Sequence, residues 1–137
     1  IKEMRATKIV TSFIQDEQKL LILRRSNKVK TMKGLWAGIS GIIEKNEKPL
    51  TRAKIEIYEE TGISEDRIRF VKDAEKLRVS SPQYENHEWE IFPFLFEAKN
   101  PDIKLNWENS EYTWIRIDEL KNYNTVPSLE KVLQNLL

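Results

Sequence analysis

Three glutamates, Glu56, Glu59 and Glu60, stand at a spacing that gathers carboxylates on one side of a helix. At about 100° per residue, Glu60 lies roughly 40° to one side of Glu56 and Glu59 roughly 60° to the other. Leu50, Ala53 and Ile57 form a separate apolar stripe, about 60° to 120° from Glu56. One face would dock on a sheet while its neighbour concentrates negative charge. Like charges four apart cost an isolated helix about 0.2–0.5 kcal/mol, and the helix dipole disfavours anions near the C-terminal end. A divalent cation, Mg²⁺ or Mn²⁺, offsets both effects. Such hard cations take oxygen ligands and keep waters that phosphate oxygens can replace, so the pattern points to metal-assisted phosphate chemistry. On the helix alone, the same glutamates read first as an ordinary solvated face.

The elements around them follow from punctuation and periodicity. Pro49 opens the helix, where its missing N–H is harmless. The helix should span residues 50–61 and stop at Gly62, a natural C′ residue. Upstream, the β-branched stretch 6–14 and the apolar run 20–23 suggest a hairpin turning at 15–18. Arg24 and Arg25 end that hairpin and lead into a basic loop with Lys28, Lys30 and Lys33. These cations could meet substrate phosphates, or serve only as strand-end and loop charges. Residues 35–39 read as a short strand, and 68–79, 88–97 and 112–117 as longer ones. Loops 80–87 and 99–110 separate them, the second carrying Trp107. A terminal helix is expected over 128–137, with Ser128 as N-cap and Leu129, Val132, Leu133 and Leu136 on one face. The whole of 1–137 then reads as one α+β domain, a sheet with helices packed on it.

Composition narrows the chemistry further. The chain has 137 residues, 39% apolar and 33% charged, and a formal charge of +1. That balance gives no bulk attraction to nucleic acid or an anionic membrane, which argues against a nucleic-acid partner. Cysteine is absent from the sequence, so disulfides, thiolate zinc sites and cysteine nucleophiles are excluded. No apolar run approaches the roughly 18 residues of a membrane span, and a cytoplasmic protein is expected.

The stretch 41–63 decides between the two readings of the helix. Written out, it is Gly41, five residues, Glu47, seven residues, Ile55, Glu56, Ile57, Tyr58, Glu59, Glu60, Thr61, Gly62, Ile63. This resembles the signature of the Nudix hydrolases, the MutT-like family, at eight of nine specified positions. A chance match of that quality is on the order of one in 10⁵ at average residue frequencies. Gly34-Leu35-Trp36 before the motif and the stretch from Trp107 to Trp114 after it are similar to the family too. The resemblance implies an α/β/α sandwich with a mixed sheet, and hydrolysis of a nucleoside diphosphate linked to another group. By position, Glu56 and Glu60 would be the main Mg²⁺ or Mn²⁺ ligands, completed by the backbone carbonyl near Ser40 and Gly41. Glu59 would be a further ligand, bind a metal-bound water, or serve as the base. The small-molecule substrate would be nucleotide-like, and a homodimer stays open.

One position departs from the pattern. The motif arginine is replaced by Ile55, so Glu47 loses its expected partner. Either the site has decayed into a nucleotide- or protein-binding module, or another cation has taken over. Arg52 is the candidate, about −40° from Glu56 on the wheel and four residues before it. An exposed basic residue with no such role is the plain alternative. Glu85, His87 and Glu88 are candidate bases on a distant loop, and Trp107 is a candidate stacking surface for a base.

Overall fold

The computed structural model describes residues 5–80 and 87–137. Two long strands form its spine: β1 (Arg5–Asp16) and β7 (His87–Glu97) run parallel, in register from Arg5 opposite His87 to Gln15 opposite Glu97. Their later halves, residues 10–14 and 93–96, are buried on both faces, as a central parallel pair requires. From β7, Phe94 and Phe96 point to one side and Ile91 and Leu95 to the other. Apolar residues therefore stand on both faces of β7.

The remaining pairings are antiparallel. β2 (Lys19–Arg25) joins β1 only at the hairpin, Gln15 opposite Leu20 and Asp16 opposite Lys19. Beyond that point the two strands part. β3 (Trp36–Ala37) pairs with β2 and β4 (Ile39–Ile42) with β1. β8 (Asn109–Ile115) lines the other edge of β2. This opening in the sheet is where the carboxylates collect.

The stretch 68–79 is not one strand. It divides into β5 (Arg69–Asp73) and β6 (Leu77–Ser80), both paired with β7. The interruption faces Pro93, which has no N–H for a neighbouring ladder. α1 (Pro49–Thr61) starts one residue earlier than expected and ends at Gly62, whose φ of 78° is left-handed and whose N–H reaches Tyr58 O at 2.9 Å. α2 (Leu129–Leu136) buries Leu129, Val132, Leu133 and Leu136, as its periodicity foretold. Ser128 does not cap it: its φ of 72° is left-handed and its hydroxyl makes no cap bond, because a capping hydroxyl needs extended backbone to reach the first turn.

α1 packs on one face of the sheet with Val10, Ile14, Leu23, Phe94 and Phe96. α2 packs on the other with Phe13, Ile22, Leu95 and Ile115. The result is a mixed sheet between helices. None of the helices among the described residues is long and apolar enough to cross a membrane.

Candidate active site

Ala53 and Ile57 anchor α1 with no exposed surface, and that docking presses the adjacent face toward the opening between β1 and β2. Glu56 and Glu60 follow and are 8% and 4% exposed. Gly41 lies on β4 opposite Val10, directly under Glu56. A Cβ at position 41 would overlap the Glu56 carboxyl group, so only glycine allows this approach.

Glu60 accepts a hydrogen bond from Asn109 Nδ2 at 3.0 Å on Oε1. Its Oε2 is buried with no hydrogen-bond partner among the described residues. Burial first, and then Glu108, hold this carboxyl well above the usual carboxylate range, against the Asn109 bond that favours ionisation. Burial also raises Glu56, with Glu59 and Glu108 adding to it and the Arg52 bond opposing. Glu56, Glu60 and Glu108 each offer an oxygen within 4.8 Å of the others. Three converging carboxylates and an orphaned buried oxygen fit a hard divalent cation.

Glu108 and Asn109 were not singled out from the sequence. β8 pairs with β2 through Arg25 and Asn109, which carries this corner to the end of α1. Glu108 is fixed there by its own N–H to Asn106 Oδ1 at 3.0 Å, by Asn106 Nδ2 at 3.1 Å, and by Ser26 N–H to its carbonyl at 2.8 Å. The similarity of the stretch from Trp107 to Trp114 was the only signal, and it named no chemistry.

Glu59 is exposed on the flank of α1 and stands outside the three-carboxylate group. Arg25 lies near Glu60 and Glu108. Burial draws its pKa below the usual arginine range while those two carboxylates pull it up, and its Nε and Nη2 donate to Thr31 O at 3.1 and 2.9 Å. Arg24 turns instead to Glu111 at 2.8 Å and to Gly34 O at 3.0 Å. Trp107 is 59% exposed, and its carbonyl accepts from Ser26 Oγ at 2.7 Å. Arg52 is bonded to both Glu47 and Glu56.

Of the distant candidate bases, Glu85 lies outside the described residues. His87 and Glu88 belong to the start of β7, with His87 Nε2 within 2.8 Å of Thr7 Oγ1. Val10 pairs with both Gly41 and Phe92. His87 is therefore about 16 Å along the strand from the row of Gly41, and Glu88 about 13 Å. Neither joins the carboxylate group.

Residues 5–136 match the NUDIX domain. The chain belongs to that family. NUDIX proteins generally use a divalent metal, and the acidic group described above is the matching feature of this one. The chain is 27% identical over 107 residues to an RNA pyrophosphohydrolase of Bartonella clarridgeiae, a match covering 65% of this chain and 61% of that protein. The MutT protein of Methanosarcina mazei shares the fold at a TM-score of 0.76 and 23% identity, over 98% of this chain and 94% of that one. The MutT NUDIX hydrolase of Burkholderia pseudomallei superposes at 0.78 and 16% identity, over 97% and 99%.

Proposed function

We propose that this NUDIX chain hydrolyses a phosphoanhydride bond in a nucleoside diphosphate linked to another group. Glu56, Glu60 and Glu108 would hold Mg²⁺ or Mn²⁺. The observation that carries the reading is the buried Glu60 oxygen that accepts no hydrogen bond among the described residues, set beside the carboxylates of Glu56 and Glu108. A cation bound there supplies charge neutralisation for the diphosphate and a lowered pKa for an attacking water.

The chain's own residues do the rest. Glu59, exposed beside Glu56, accepts the proton of the attacking water. The water oxygen forms the new bond to phosphorus, and the bridging anhydride oxygen leaves with the other phosphate. Arg25 stands next to the cluster as a fixed cation for charge that develops on the transferred group. The exposed indole of Trp107 offers a stacking surface for a base. Arg24 is engaged in holding its own loop, with its outward face left to phosphate. A cytoplasmic location and a small nucleotide-type substrate go with this reading, and a homodimer is compatible with it.

The test is a panel of nucleoside diphosphate derivatives and 5′-triphosphorylated RNA, the latter suggested by the Bartonella relative. It is assayed with Mg²⁺, with Mn²⁺ and after chelation. We expect cleavage of a panel member into its two phosphate-bearing products, which chelation abolishes and Glu108→Gln slows about tenfold or more. Cleavage unaffected by chelation would overturn the assignment. The rival, a binding module, is favoured by Ile55 in place of the motif arginine. It predicts saturable binding of a panel member with no turnover.

A further inference from the structure

Ile55 occupies the motif's arginine position and is half-buried. The same helix carries a guanidinium one turn earlier. Arg52 donates twice to Glu47, from Nε to Oε1 at 2.7 Å and from Nη2 to Oε2 at 2.8 Å. This is the two-pronged geometry that fixes both partners. A third bond runs from Nη1 to Glu56 Oε2 at 3.0 Å. Glu47 is itself held by the Glu44 N–H at 3.0 Å. The side chains of Arg52, Glu47 and Glu56 are only 14%, 15% and 10% exposed. They lie outside the regime in which solvent makes an ion pair negligible.

We propose that Arg52 is the positioning residue of the carboxylate cluster, a role that rests on the cation-dependent reading above. It holds Glu56 from position 52 in place of a guanidinium at position 55, so Ile55 marks a relocation and not a decayed site. The reason is geometric. Glu56 sits among like charges that would turn a free side chain away, and Arg52 pins one of its two oxygens. The loop before α1, the first turn of the helix and the second are thereby joined through one side chain. Long side chains on a helix lean toward its N-terminus and cover the preceding turn. From position 52 the guanidinium leans back to Glu47, ahead of the helix, and still reaches Glu56.

The experiment is calorimetric titration of the metal-stripped protein with Mn²⁺. Thermal unfolding serves as fold control, and kcat is measured on the best substrate of the panel. Arg52→Ala is expected to weaken Mn²⁺ affinity about 10–100-fold. Arg52→Lys should recover only part, because an ammonium has no fork. Adding Ile55→Arg to Arg52→Ala should restore most of the loss. Glu47→Ala, a change outside the three-carboxylate group, should weaken affinity too, and add little to Arg52→Ala. It carries the test if Arg52→Ala does not fold.

Wild-type affinity in Arg52→Ala and in Glu47→Ala, or a double variant that regains nothing, would overturn the proposal. A wild-type protein that binds Mn²⁺ but cleaves no panel member sinks the hydrolase reading alone, with Arg52 still judged by calorimetry. A wild-type protein that binds no Mn²⁺ removes both.

Discussion

The two helices use the sheet between them in opposite ways. α2 brings Leu129, Val132, Leu133 and Leu136 to its face, all at most 2% exposed. α1 brings Ala53 and Ile57, and then buries Glu56 and Glu60 beside them. The α2 face is apolar throughout and excludes water. The α1 face gives up part of that stabilisation to keep two carboxylates out of solvent, one of them with an oxygen that has no hydrogen-bond partner among the described residues. A fold that accepted this arrangement without a ligand would lose stability for no return. On the proposed function, the α1 side of the sheet is the one that works.

The largest expected effect tests that contrast directly. Glu60→Gln should lower kcat about a thousandfold, about 4 kcal/mol of transition-state stabilisation. The same change should stabilise the metal-stripped protein by about 1 kcal/mol, about 3–6 °C in Tm for a chain of this size. Steady-state kinetics and calorimetric melting of one variant decide both. A variant that loses activity and stability together would erase the distinction between the helices.

Leu133→Ala makes the converse case. Removing a buried leucine should cost about 2–5 kcal/mol in denaturant unfolding, with kcat per folded molecule unchanged. A fall in kcat would mean that the α2 layer also shapes the site.

A third prediction concerns pH. Glu60 holds a proton in the folded chain at pH values where the unfolded chain has released it. The folded state then binds more protons than the unfolded, so stability falls as pH rises from the unfolded carboxyl's range, about 4.3, through the raised folded value. Between those limits the slope from this group is at most about 1.4 kcal/mol per pH unit. Melting curves of the chelated protein across pH should show the decline, flattened in Glu60→Gln. Equal slopes in both proteins would remove Glu60 as the cause.

The smallest effect belongs to Arg24→Ala. Its pair with Glu111 is about half exposed on both sides, 46% and 53%, and its loss should change stability by about 0.5 kcal/mol or less in urea unfolding.

Much of α1 was legible in the sequence because its signals are local. Pro49, Gly62 and the 3.6-residue period fix the helix, and the spacing from Gly41 places it against β4. The wheel angle of Arg52 also gave its reach to Glu56, an i,i+4 contact that needs no tertiary information. Glu108 and Asn109 were not legible, because their contact with Glu60 depends on β8 pairing with β2. Pairing between distant strands leaves no periodic trace in either one. The division of β5 from β6 escaped for a similar reason: Pro93 acts across the ladder, on a strand about 20 residues upstream. Ser128 has the right side chain for a cap but the wrong φ, and backbone sign is invisible in a serine.

The parallel pairing of β1 with β7 bears on how the molecule is made. Arg5 and His87 are opposite each other, 82 residues apart. During synthesis β1 emerges long before its central neighbour exists, able to pair only with β2 and β4. Val10 and Ile14 must wait, uncovered on one edge, until β7 arrives. Contacts this distant in sequence slow folding and lengthen the time an apolar strand edge is open to other chains. Assembly of the central layer is therefore a late event. The carboxylate cluster, which also needs β8, cannot form before it.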